Sequence, residues 1–139
     1  MADKIQDTII EDLEMFEDWT DKYEYLIAMG NELNAMPDEK KNESNLIKGC
    51  QSRVWIDAEL KDGNVHFTAD SDAIITKGIV SLLLKVWSKR TPKEILNSNL
   101  YFIEQTGLKE NLSPTRANGL VSMIKKMKTF ALAFNSMKK

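Results

Sequence analysis

Cys50 is the one cysteine in a chain of 139 residues, and it stands in the run Lys48-Gly49-Cys50-Gln51-Ser52-Arg53. A structural thiol sits inside an apolar period. This one lies among turn-forming and polar residues with a cation on either side, the surroundings of a reactive thiol. At an ordinary pKa of ~8.5 about one thiol in thirty is ionised at pH 7, and Lys48 and Arg53 would raise that fraction. Thiol-disulfide oxidoreductases need a resolving partner, usually in Cys-x-x-Cys, and the chain has no second cysteine. A lone loop thiol fits an acceptor that passes its cargo to another protein. The other readings are a single-cysteine redox sensor or thiol peroxidase, and an interaction module whose cysteine is inert.

Other chemistries find less support. One cysteine and one histidine, His66, cannot supply the three or four Cys/His ligands of a zinc site, so no metal of that kind is expected and only carboxylate sites stay open. The six glycines are scattered, with no Gly-x-Gly and no Gly-Lys-Ser/Thr, which removes phosphate-loop and dinucleotide readings. Carboxylates are plentiful but lie on helix faces that water solvates. His66 sits on a strand with its side chain opposite to Val65 and Phe67, the position of a solvent-facing histidine; a Cys50/His66 pair is the rarer alternative.

Net charge is −2, unevenly spread: residues 1–43 hold 13 acidic and 4 basic side chains, residues 44–139 hold 8 and 15. A nucleic-acid binder would show a basic excess with interleaved aromatics, so no nucleic acid is expected. Lys125, Lys126 and Lys128 read as a solubilising helix surface. No apolar run approaches the ~20 residues of a membrane span, and Met1 to Asp12 is acidic without a signal pattern, so a cytoplasmic protein is expected.

The elements that must position Cys50 follow from periodicity. Ile5, Ile9, Leu13 and Phe16 recur at helical spacing, and Trp19, Tyr23, Leu26, Ile27 and Leu33 form a second helical stripe. Residues 37–45 are charged and rich in turn formers, an exposed connection. The period then becomes two, with Val54, Ile56, Ala58 and Leu60 on one face. Asp62-Gly63 followed by Val65, Phe67 and Ala69 signals a hairpin. Three antiparallel strands are expected at about 46–48, 53–60 and 65–69, which puts Cys50 at a loop tip. Asp70-Ser71-Asp72 offers N-capping oxygens to a buried helix from Ile75 to Trp87. Thr91-Pro92-Lys93-Glu94 has the form of a capping box, and Ser113-Pro114 opens a last helix with Leu120, Ile124, Met127, Ala131 and Phe134 on one face. The order predicts an α+β fold in a single domain spanning 1–139, with helices covering a small sheet.

Gly49-Cys50-Gln51-Ser52-Arg53-Val54-Trp55 resembles the Gly-Cys-Gln-Ser-x-Val-Trp motif of the SufE family, the SufE/CsdE-like sulfur-acceptor proteins of iron-sulfur cluster assembly. Two further blocks agree in order and spacing: Asp70-Ser71-Asp72-Ala73 with Lys77-Gly78, and Leu112 to Leu120 (Leu-Ser-Pro-Thr-Arg-Ala-Asn-Gly-Leu). The resemblance implies a core shared with IscU-type scaffold proteins. It also implies a role: Cys50 takes persulfide sulfur from a cysteine desulfurase (SufS/CsdA-like), stimulates that enzyme, and passes the sulfur to an iron-sulfur scaffold complex. The chain would then be an accessory protein with no cofactor of its own, the pyridoxal phosphate belonging to the partner.

Around Cys50, Gly49 offers the backbone freedom that insertion into a partner site requires. Gln51 can hydrogen-bond the loop backbone or the transferred sulfur, and Ser52 completes the loop motif. Asp72 has two readings, an early-helix carboxylate favoured by the dipole or a holder of the cysteine loop. Arg116, a cation in a first helical turn, opposes the dipole, so it pairs with a carboxylate or reaches the partner. Asn118, beside Gly119, is read either as allowing close helix approach or as partner-binding. Monomer and homodimer are both open.

Overall fold

Asp3 starts the first helix by accepting hydrogen bonds from the backbone N–H of Ile5 and Gln6 at 2.9 and 3.3 Å, which satisfies donors that a helix start leaves free. The helix α1 (Lys4–Glu14) buries Ile9, Ile10 and Leu13 and leaves Ile5 41% exposed. It stops at Glu14, short of Phe16 in the helical stripe, and Asp18 begins a new helix, capping Asp21 N–H at 3.0 Å. That helix, α2 (Trp19–Asn31), buries Leu26 and Gly30. The computed structural model describes residues 3–47 and 52–137.

The hairpin falls where Asp62-Gly63 requires it. Both residues have positive φ, 52° and 82°, the backbone twist that a two-residue turn between antiparallel strands demands. Strands β1 (Val54–Lys61) and β2 (Asn64–Ser71) pair from Lys61↔Asn64 to Val54↔Ser71. Val54, Ile56, Val65, Phe67 and Ala69 face the core; the stripe fades at Ala58 and Leu60, the latter 36% exposed.

Of the third strand expected at 46–48, residues 46 and 47 form none, and Lys48 lies outside the described residues. Leu46 makes one isolated bridge to Trp55, flanked by hydrogen bonds from Ile47 N–H to Val54 O (2.8 Å) and from Ile56 N–H to Asn45 O (2.9 Å). Pairing cannot extend backwards because Asn42 holds Asn45 in a turn, its Oδ1 accepting Asn45 N–H at 3.1 Å. Among the described residues the sheet therefore has two strands. The outer edge of β2 is covered in the same economical way: Val65 bridges Arg90, and Ser88 Oγ accepts Phe67 N–H at 3.0 Å.

Helix α3 (Ile74–Trp87) is buried along most of its length and lies against α2 and β2. It is followed by α4 (Pro92–Asn97), α5 (Tyr101–Thr106) and the long α6 (Pro114–Met137), which packs on α4 and β1. The Thr91/Glu94 capping box is present in both directions, with bonds of 2.9 and 3.1 Å. Gly107 ends α5 with φ 70°. Buried Gln6 ties α1 to this region, accepting Phe102 N–H at 3.1 Å and donating to Asn99 O at 2.9 Å.

The tightest approach is between α2 and α3. A Cβ on Gly78 would stand 1.9 Å from the Leu26 carbonyl oxygen, and one on Gly30 would stand 2.9 Å from Gly78 N. Ser81 Oγ donates to Met29 O at 2.8 Å across the same crossing. Gly78→Ala should force the helices apart and cost at least about 2 kcal/mol, lowering Tm by roughly 8 °C, whereas Ser81→Ala should cost about 1 kcal/mol. Thermal melts followed by circular dichroism check both, and equal losses would contradict the glycine contact as the tighter constraint.

Candidate functional site

Gly49, Cys50 and Gln51, with Lys48, lie outside the described residues; the residues that flank them on either side are described. One end is Ile47, tied to Val54 O. The other is Arg53, which Asp72 holds by three contacts. Asp72 Oδ1 accepts Arg53 N–H at 3.0 Å, its own N–H donates to Arg53 O at 3.2 Å, and Oδ2 lies 3.7 Å from Arg53 Nε. Ser71 Oγ donates to Arg53 O at 2.8 Å. The loop thus leaves and rejoins the sheet through neighbouring, fixed points. Asp72 stands ahead of the N-cap of α3, Ala73, and no side chain caps that helix.

Asp70 anchors the same end of the sheet from the side. Its carboxylate is 2.9 Å from Lys41 Nζ and 3.4 Å from Lys77 Nζ, and Oδ1 accepts Ser71 N–H at 2.8 Å. Burial opposes ionisation of this group, yet the Lys41 hydrogen bond, the Ser71 N–H and the Lys77 charge outweigh it and hold the carboxyl below the usual range. The Asp70 hydrogen bond in turn raises the Lys41 ammonium above its ordinary value. Lys41 also lies 5.8 Å from the centroid of the Trp55 ring. The 37–45 connection is therefore pinned beside the loop.

A small cavity of about 30 Å³ opens next to Ser52. Its walls are Thr76 from the first turn of α3, Thr115, Arg116 and Gly119 from the start of α6, and Ser113 and Met123. Two helix N-termini and a guanidinium meet there, so the cavity favours negative charge. Arg116 is half-buried and, among the described residues, makes no ion pair; its backbone N–H donates to Ser113 Oγ at 3.3 Å. Asn118 is exposed and does not line the cavity.

The structure thus brings Ser52 and Arg116 to one cavity and places Asp72 on the loop's exit, with Asn118 on the surface. His66 is elsewhere, paired with Glu59 five residues up the strand from Val54, roughly 16 Å along it. Among the described residues no three His, Cys, Asp or Glu side chains gather as metal ligands, and no helix is long and apolar enough to cross a membrane. Thr76, Ser113 and the Lys41–Asp70–Lys77 cluster were not found as site residues from the sequence. Ser113 carried a signal, its place before Pro114; Lys41 had none, being 29 positions from its partner.

The model of the SufE family, described as an Fe-S metabolism associated domain, matches residues 7–131. The chain belongs to the SufE family. It is 42% identical over 126 residues to an uncharacterized SufE-like protein of Synechocystis, covering 91% of this chain and 79% of that one. The solution structure of a hypothetical protein from Thermus thermophilus superposes with a TM-score of 0.77 at 18% identity, covering 96% of this chain and 97% of that one. This second likeness is one of fold alone. SufE membership associates the protein with iron-sulfur metabolism.

Because Asp70 titrates below an ordinary carboxyl in the folded state, its contribution to stability is present above the unfolded pKa of ~4 and is lost as pH falls through the lower folded value. Asp70→Asn should lower stability at pH 7 by about 1 kcal/mol and flatten the loss of stability between roughly pH 5 and pH 2. Urea unfolding across that range checks it; an unchanged acid slope in the variant would remove Asp70 as its source.

Proposed function

We propose that this SufE-family protein is a sulfur acceptor whose Cys50 takes sulfur from the persulfide of a pyridoxal-phosphate cysteine desulfurase and delivers it to an iron-sulfur scaffold. What supports the reading is that Ser52 and Arg53, the residues that follow Gly49-Cys50-Gln51 in the sequence, stand at an anion-favouring cavity and in the grip of Asp72.

The Cys50 thiolate attacks the outer sulfur of the partner's persulfide. The new S–S bond forms on Cys50 as the old one breaks, the partner's cysteine leaves as a thiolate, and the proton released by Cys50 on ionisation balances the one that thiolate regains. No external oxidant or reductant is consumed. Removal of the persulfide frees the desulfurase for another cycle, so the carrier stimulates an enzyme without turning over a small substrate itself.

Each part of the site has a task in this reading. The N-termini of α3 and α6 and the Arg116 guanidinium stabilise the thiolate before transfer and the persulfide anion after it. Asp72 and Ser71 hold Arg53, the residue that leads from the motif into β1, in one position. Gln51 supports the transferred sulfur. Arg116 and the exposed Asn118 contact the desulfurase when it docks. The whole unit works as one cytoplasmic domain.

Intact-mass spectrometry after mixing with an active desulfurase and L-cysteine tests the proposal. The expected result is a reductant-sensitive gain of about 32 Da, one sulfur, absent in Cys50→Ser. No gain with a desulfurase that it binds would overturn the acceptor role, and a gain of one oxygen on peroxide treatment alone would favour the redox-sensor reading. Arg116→Gln should slow persulfide formation about tenfold, the loss of one charge-assisted contact, with unfolding stability unchanged within about 0.5 kcal/mol. A single-turnover time course and a urea titration measure the two effects.

A further inference from the structure

Among the described residues four polar side chains are buried, and three of them, Gln6, Asn45 and Ser81, donate to carbonyl oxygens at 2.8 or 2.9 Å. The fourth, Thr76 in the first turn of α3, is 3% exposed, and its hydroxyl has no hydrogen-bond partner among the described residues. That oxygen is not sealed off. Trp87 Nε1 is the one unpaired side-chain nitrogen or oxygen closed to solvent among the described residues, so Thr76 Oγ1 keeps open surface, and the opening that Thr76 lines is the cavity of about 30 Å³ beside Ser52. A buried hydroxyl is nearly always paired; one left free at a cavity is a donor that lacks an acceptor.

The walls of the cavity specify what that acceptor is. Arg116 brings a positive charge, and no described wall residue is acidic. Asp72, four residues before Thr76, is engaged by Arg53, its Oδ1 3.0 Å from the Arg53 N and its Oδ2 3.7 Å from Nε. Thr76 and Thr115 each stand in the first turn of a long helix, where backbone N–H groups have no acceptor within the helix and the dipole is positive. A water molecule would answer the Thr76 hydroxyl alone; an anion answers the hydroxyl, the guanidinium and both helix starts. Size narrows the choice further. A volume of about 30 Å³ holds roughly two water-sized spheres, enough for an anion of one heavy atom and too little for a tetrahedral sulfate.

We propose that this cavity binds one small monovalent anion, chloride or hydrosulfide in size and charge, with the Thr76 hydroxyl donating to it and the Arg116 guanidinium balancing it. Met123 gives the cavity a polarizable apolar wall, which suits a weakly hydrated anion. The site is made of described residues alone and forms no covalent bond. It therefore goes beyond the acceptor role of Cys50 and does not depend on it.

The test uses the intact 15N-labelled protein in sodium gluconate, with sodium chloride replacing the gluconate at constant ionic strength. No desulfurase is present, so a failure of the acceptor role would leave the result untouched. The backbone amide signals of Thr76 and Thr115 should shift saturably, while those of Thr20 and Asp21 at the start of α2 stay in place. Sodium hydrosulfide should reproduce the shifts and sodium sulfate should not. Thr76→Val should weaken chloride about tenfold, the loss of one hydrogen bond to a charged group. Its melting temperature should be preserved, because removing this hydroxyl leaves no partner unpaired. The inference is overturned by amides that ignore chloride, by sulfate shifts equal to those of chloride, by Thr76→Val binding as tightly as the parent, or by Thr76→Val melting several degrees lower, the mark of a hydroxyl that holds the fold.

Discussion

The crossing of α2 and α3 sets the geometry on which the rest of the molecule depends. With Gly78 against the Leu26 carbonyl there is no side chain between the two backbones, so α3 has one depth at which it can lie. From that depth its apolar side chains reach both the sheet and the inner helices, and Val80, Leu82, Leu83, Val86 and Trp87 have no exposed surface. Both of its ends are then fixed in place. The N-terminus stands at the cavity beside Ser52, and the C-terminus delivers Ser88, Lys89 and Arg90 to the open edge of β2. A misplacement of α3 by even one side-chain thickness would move the loop anchor and uncover the sheet together.

At the other end of that chain of constraints stands Arg53, held by polar contacts rather than by burial. Arg53 and Asp72 are both substantially exposed, so their charge attraction is weak in water. What fixes the loop's exit is the set of backbone bonds, in which Arg53 N–H and O are both satisfied from Asp72 and Ser71. Arg53 is thereby held by backbone geometry and not by the strength of its ion pair. The electropositive cavity next to it acts at short range on any anion that enters, whereas the net charge of the chain, −2, has little bearing on the site.

The sequence was legible wherever one local rule determined the outcome. Asp62-Gly63 specified the hairpin, Thr91-Pro92-Lys93-Glu94 the start of α4 and Ser113-Pro114 the start of α6, because turns and caps are decided within four residues. It was misleading where local and distant demands compete. Leu46 to Lys48 has strand-like residues, but Asn42 and Asn45 close a turn that leaves room for one bridge. Asp70, Ser71 and Asp72 have the composition of a helix cap, yet the first two lie in β2 and the third serves Arg53. What recruits Asp70 and Ser71 to the sheet is the full length of the hairpin, whose register carries pairing out to Val54↔Ser71. Cys50, Gly49 and Gln51 were marked by their motif. Thr76 and Lys41 entered through contacts between elements far apart in the chain.

The uneven distribution of charge takes a different meaning once the chain is folded. An acidic first third and a basic remainder suggest a molecule with two opposed faces. Instead, several charges of the first third are met by partners from the rest: Asp3 by Arg90 at 2.9 Å, Glu32 by Lys85 at 3.1 Å, and Lys41 by Asp70 at 2.9 Å. Exposed pairs such as Glu32–Lys85 contribute little stability. Those with a shielded member do more, because Asp3 and Asp70 have side chains only 11% and 16% exposed and would be costly to leave unpaired. Both ties bind the N-terminal segments to the central and C-terminal ones, Asp3 at the α3–α4 connection and Lys41 at the sheet end that carries the cysteine loop. Asp3–Arg90 and Glu32–Lys85 join an acid of the first third to a cation of the rest, but Lys41–Asp70 runs the opposite way, so it is the placement of individual charges, and not their segregation along the chain, that ties the first third to the remainder.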